Sequence, residues 1–133
     1  MIRRKAFDKL LVWKKLENRK PLLIRGARQV GKTTLVQEFG KEFSNFVELN
    51  LERPEEARLF ELETTERILN AVFLSKNINL KKGTTLIFID EIQESPKAIA
   101  QLRYFLEDRP DLFVIAAGSL LEFALAKITS FPV

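Results

Sequence analysis

The sequence predicts an α/β fold, a three-layer sandwich in which helices cover both faces of a mostly parallel sheet. Three observations lead there. Short strand-like runs at Leu22–Ile24, Phe46–Asn50, Leu86–Ile89 and Leu112–Ala117 alternate with longer stretches of helical periodicity. The last two runs are apolar at every position, the pattern of strands covered on both faces by helix layers. Strands alternating with helices in turn imply parallel pairing through right-handed crossovers.

Composition narrows the chemistry. With 133 residues, 46% hydrophobic and 30% charged, the chain has enough apolar material for one domain with a buried core. It contains no cysteine and no histidine. That removes disulfides, thiol nucleophiles, the usual zinc sites and any imidazole base. Acid–base work falls to carboxylates, lysines or the single tyrosine, Tyr104. Met1–Phe7 lacks the apolar centre of a signal peptide, and no run is long enough to span a bilayer. A cytoplasmic location and no membrane partner are expected. No internal repeat or low-complexity segment interrupts the chain, so 1–133 is expected to be one domain, with 1–20 an N-terminal helix and linker and 21–133 the sheet and its helices.

The first element, 3–17, places Phe7, Leu10, Leu11 and Trp13 at helical spacing. Asn18 to Pro21 ends it, because proline disfavours helical geometry in the residue before it. Residues 1–33 carry eleven Lys/Arg against Asp8 and Glu17, so +9 sits there and −5 on the remainder, within an overall +4. Such a basic segment can mark a nucleic-acid partner. The same lysines also fit the solvent face of the helix, and no interleaved aromatic platform for stacking bases accompanies them, which favours the solvated helix.

The second element is the most informative. The strand at Leu22–Ile24 breaks at Gly26 into Gly26-Ala27-Arg28-Gln29-Val30-Gly31-Lys32-Thr33-Thr34, and a helical pattern follows. Gly-x-x-x-x-Gly-Lys-Thr between a strand and a helix is the phosphate-binding P-loop. Gly26 and Gly31 permit positive φ and close backbone approach, so N–H groups of 28–33 can point into one concavity. A helix starting near Lys32 adds further donors and a partial positive charge. In that arrangement Lys32 reaches the β- and γ-phosphates, the Thr33 hydroxyl ligates Mg²⁺, and Thr34 packs or touches the α-phosphate. The helix is expected to reach Glu42, burying Leu35, Val36 and Phe39, with Gly40 at its end.

After the Phe46–Asn50 strand, Arg53-Pro54-Glu55-Glu56 opens a helix with proline in its first turn and carboxylates at its positive end. Thr65–Lys76 is another helix, with Ile68, Leu69, Val72 and Phe73 on one face, and Lys81-Lys82-Gly83 is a turn. The next strand, from Thr84 to Ile89, ends in Asp90-Glu91. Open α/β sheets bind ligands at the carboxyl ends of their strands. This strand end resembles the Walker B strand of P-loop NTPases, which implies that Asp90 would hold the Mg²⁺ hydration shell and Glu91 would polarise an attacking water. Ser95 caps and Pro96 starts a helix that Ile99, Leu102, Phe105 and Leu106 carry to Asp108. Beyond a turn at Arg109-Pro110-Asp111, the Leu112–Ala117 strand ends in Gly118-Ser119, and a helix is expected over Leu120–Lys127. A Gly-Ser strand end suits both an ordinary turn and a residue that senses a γ-phosphate.

Three stretches together, Gly26–Leu35, Ile87–Gln93 and Ala117–Leu121, resemble the prokaryotic AAA-type ATPases of the AAA_14 family, usually followed by a DUF4143 domain. The resemblance covers nearly the whole chain. It implies a P-loop NTPase sandwich of the additional-strand type, in which the sensor strand lies between the Walker A and Walker B strands. It implies ATP and Mg²⁺ as ligands, Glu91, Lys32 and Ser119 in catalysis, Gly26 to Thr34 around the nucleotide, and Thr33 and Asp90 on the metal. It also implies that the chain stops before the fifth core strand and the C-terminal domain, which becomes an expected partner. A homo-oligomer is possible, since such enzymes take an arginine finger from a neighbour, and no arginine here fits that role. Arg28 either touches phosphate or faces solvent.

The function expected is therefore ATP binding and Mg²⁺-dependent hydrolysis, weak in this length of chain. Two alternatives stand beside it: a nucleotide-dependent interaction or nucleic-acid-binding module without turnover, and a small-molecule kinase, which phosphate transfer to a metabolite would reveal.

Overall fold

Four strands and five helices make up the residues that the computed structural model describes, namely 2–17, 19–25, 30–78 and 83–118. The strands are β1 (Leu22–Arg25), β2 (Asn45–Asn50), β3 (Thr85–Asp90) and β4 (Phe113–Gly118). All pair in parallel, in the order β1-β4-β3-β2. The last strand among the described residues, β4, thus lies between the first and the third, the position that the resemblance implied for the sensor strand. The helices are α1 (Ile2–Lys14), α2 (Val30–Phe39), α3 (Pro54–Ala57), α4 (Thr65–Ser75) and α5 (Pro96–Asp108), with single 3₁₀ turns at Gly40–Glu42, Arg58–Glu61 and Ile92–Glu94.

Strand periodicity divides the core in two. Leu86 and Phe88 of β3, Phe113, Ile115 and Ala117 of β4, and Leu22 and Ile24 of β1 pack with Leu10 and Trp13 of α1 and Val36 and Phe39 of α2. Ile87 and Ile89 of β3, with Val114 and Ala116 of β4, pack on the opposite face with Ile68, Leu69, Val72 and Phe73 of α4 and Ile99, Leu102 and Phe105 of α5. Successive side chains of a strand point to opposite faces, so strands apolar at every position need a helix layer on each side.

Local chemistry explains the element ends. Ser95 accepts the Ala98 N–H at 3.1 Å and Thr64 accepts the Arg67 N–H at 3.1 Å, each capping its helix. At the end of α4, Asn77 takes φ 56°, the Asn77 N–H bonds the Leu74 carbonyl and the Ile78 N–H bonds the Phe73 carbonyl, the pattern of a Schellman cap. Two expected boundaries differ. α1 stops at Lys14 rather than 17, where Lys15 and Leu16 turn back onto Val12 and Trp13 in tighter i→i−3 bonds. α2 begins at Val30 rather than Lys32 and gives way at Gly40 to a 3₁₀ turn. A Cβ at Gly40 would stand 2.6 Å from the Phe46 ring, so the chain there has no room for a side chain. The expected helix over 120–127, and Lys81 and Lys82 of the expected turn, lie outside the described residues.

Part of the basic N-terminal segment is used inside the molecule. The Arg19 guanidinium lies 3.3 Å from the centre of the Phe113 ring and donates to the Pro110 carbonyl at 3.2 Å, and its burial pulls its pKa below the usual value, with Asp111 opposing. Lys14 Nζ donates to the Glu42 carbonyl at 2.8 Å and stands 4.7 Å above the Phe43 ring. These contacts tie α1 and its tail to the sheet.

Glu56 secures the carboxyl end of β2. Its Oε1 accepts the Asn50 N–H at 2.8 Å and its Oε2 accepts Lys76 Nζ at 2.6 Å, joining β2, α3 and the end of α4 through one buried carboxylate. Glu56→Ala would leave a partly buried N–H and a partly buried ammonium without this partner. The expected loss of stability is about 2–3 kcal/mol, read as a lower denaturant midpoint with unchanged slope.

Candidate functional site

The strand register brings the candidate residues to one rim. Asn50 stands opposite Asp90, and Arg25, the residue before the P-loop, stands opposite Gly118. The Leu51 N–H extends the ladder by one bond, to the Asp90 carbonyl at 3.0 Å. Along β3, Asp90 shares the parity of Leu86 and Phe88, so it belongs to the face covered by α2. That face brings it to the first turn of α2, where the Thr33 hydroxyl lies 3.5 Å from Asp90 Oδ2. One turn farther along α2, Gln37 donates to Glu48 of β2 at 2.9 Å, which ties the same helix to the neighbouring strand.

Asp90 is half-buried, and burial pushes its carboxyl above the usual carboxylate range. The Glu91 N–H, bonded to Asp90 Oδ1 at 2.9 Å, opposes this, the charges of Glu91 and Glu48 add to it, and the Thr33 hydroxyl lowers it slightly. A hydroxyl and a carboxylate facing each other form an oxygen-only donor pair that suits a hard cation such as Mg²⁺, which takes one or two protein groups and fills its octahedron with water and phosphate oxygens. Asp90 and Thr33 together fit such a cation.

Glu91 follows in an uncommon conformation, φ 52° and ψ 47°, and is 5% exposed. Left-handed backbone at a residue with a Cβ costs about 1–2 kcal/mol. It turns the chain out of β3 into the 3₁₀ turn at Ile92–Glu94, and Glu91 Oε1 accepts the Gln93 amide at 2.8 Å. Sequence reasoning missed Glu48 and Gln93 as neighbours of this rim. Glu48 could have been placed on the Asp90 face from the period of two, whereas Gln93 had no signal beyond its place in the Asp-Glu-Ile-Gln stretch.

The P-loop expectation needs one correction. Gly31 does not take positive φ, because the helix already includes it. Among the described residues, a Cβ at Gly31 would meet no atom within 4 Å. Lys32 and Thr33 stand in the first turn of α2, the end of a helix that carries partial positive charge. Gly26, Ala27, Arg28, Gln29 and Ser119, and the Val30 side chain, lie outside the described residues. Of the candidate set, the fold brings together Thr33, Asp90 and Glu91, with Lys32 and Thr34 on the same turn of α2 as Thr33.

The model of a family described as an AAA domain matches residues 18–133 of the chain. No curated protein matches it significantly.

An acid whose pKa is raised by folding binds its proton more readily in the folded chain, so stability falls as pH rises from the usual carboxylate range through the raised value. Asp90→Asn should accordingly raise the melting temperature of the nucleotide-free protein at neutral pH, with the gain shrinking below pH ~4. Thermal melts across that range check the sign.

Proposed function

This chain belongs to the AAA domain family, and from that premise we propose that it binds ATP with Mg²⁺ and hydrolyses it to ADP and inorganic phosphate at the carboxyl rim of its sheet. The observation that carries this reading is the approach of the Thr33 hydroxyl in the first turn of α2 to Asp90 at the end of β3, 3.5 Å apart. They stand 57 positions apart in the chain. A nucleotide site needs that pairing, and a mere strand–turn–helix connection does not.

Each residue has a separable task. The N–H groups opening α2, and the backbone expected from Gly26 to Gln29, hold phosphate oxygens, helped by the positive end of the helix. Lys32 places its ammonium against the β- and γ-phosphates, and Thr34 lies beside the α-phosphate. Thr33 and Asp90 would hold Mg²⁺, which when bound neutralises charge on the β- and γ-oxygens. Glu91 accepts a proton from water as the water oxygen forms its bond to the γ-phosphorus. The bond from that phosphorus to the bridging oxygen breaks, the electron pair leaves with ADP, and Ser119, the residue that follows β4 in the sequence, is expected to contact the γ-phosphate. Pre-positioned charge and hydrogen-bond donors supply most of the rate gain in such transfers.

Lys32→Ala should abolish ATP binding measured by calorimetry in the presence of Mg²⁺, and micromolar affinity in that variant would overturn the P-loop assignment. Glu91→Gln should keep the affinity and lower kcat by about 10²–10⁴-fold, the range usual for a general base. Unchanged turnover would remove Glu91 from that role.

A further inference from the structure

Gln93 lies at the centre of the 3₁₀ turn Ile92–Glu94, between Glu91 and the end of β4. Its Nε2 donates to Glu91 Oε1 at 2.8 Å. Its Oε1 is buried and finds no hydrogen-bond partner among the described residues. On the far side, a Cβ on Gly118 would fall on that same oxygen, so the amide leaves Gly118 no room for a side chain.

The chemistry of the two groups sets this orientation. An ionised carboxylate only accepts hydrogen bonds, so the amide must turn its nitrogen to Glu91 and its oxygen towards Gly118. Burying an acceptor without a donor is destabilising, and an apolar side chain of the same length would avoid that. The arrangement therefore makes sense as a clamp on the carboxylate. Glu91 has a long side chain, and misplacing a reacting group by about 1 Å can lower a rate by 10²-fold.

We infer that Gln93 is a positioning residue, whose amide, wedged against Gly118, holds the Glu91 carboxylate where it meets the attacking water. This rests on the proposed hydrolysis. Gly118 belongs to the device, because a side chain there would displace the amide.

The test uses the full chain. Gln93→Met removes the donor and the orphaned acceptor at nearly constant length. The expected result is a fall in kcat of about 10–100-fold, with KM and calorimetric ATP affinity within about twofold of the unaltered protein. In a Glu91→Gln background the same substitution should change the residual rate less than twofold, because the residue acts through Glu91. Gly118→Ala should lower kcat in the same way by pushing the amide from its other side, and it decides the matter if Gln93→Met fails to fold. Unchanged kcat in the folded variants overturns the inference, as does an equal loss with and without Glu91, or a loss of ATP affinity that parallels the loss of rate. If the unaltered protein binds ATP without turnover, or Glu91→Gln matches it, the hydrolytic reading falls and takes the inference with it.

Discussion

Double-sided burial of the two central strands is the constraint on which the rest depends. β3 and β4 are buried along their length, so each needs a helix layer above and below, and a parallel sheet with long crossovers is the arrangement that supplies both. Polar side chains have no place inside such strands and collect where the strands end. Because all four run the same way, their carboxyl ends share one rim, and the opening turn of α2 meets it there.

Three residues on that rim depart from low-energy structure. Asp90 is a carboxylate partly stripped of water, Glu91 sits in left-handed backbone, and Gln93 carries a buried oxygen with no partner among the described residues. Ile92, fully buried between them, anchors the turn, and the Glu94 and Ser95 N–H groups close it onto the Glu91 and Ile92 carbonyls. Strain of this kind persists only where the surroundings over-determine it, and such places cluster at functional sites. Behind the rim, Glu56 holds the end of β2 and Gln37–Glu48 holds α2 to that strand, so the strained turn rests on fixed neighbours.

The basic N-terminal segment has a more structural part than its charge suggested. Lys14 and Arg19 stack on Phe43 and Phe113, which contact each other at 4.9 Å between ring centres. Trp13 adds an indole N–H bond to the Lys20 carbonyl at 2.9 Å. The long side chains cover aromatic surface at the amino end of the sheet while their charged heads reach carbonyls, a use of cations that net charge cannot reveal.

By itself the sequence determined the elements and the chemistry they carry. Apolar runs marked β3 and β4, the Ser95-Pro96 cap marked the start of α5, and Gly-x-x-x-x-Gly-Lys-Thr marked where phosphate chemistry would sit, because each rests on short-range rules of burial, capping and backbone freedom. Tertiary structure alone decided which surfaces met. The insertion of β4 between β1 and β3 follows from pairing between distant segments, and it brought Gly118 against Gln93. The choice of face by α2 set Thr33 against Asp90, and the left-handed turn at Glu91 aimed Gln93 back at it. None of these is a property of a window of residues: each is a contact between surfaces that come together only once the sheet is covered on both sides.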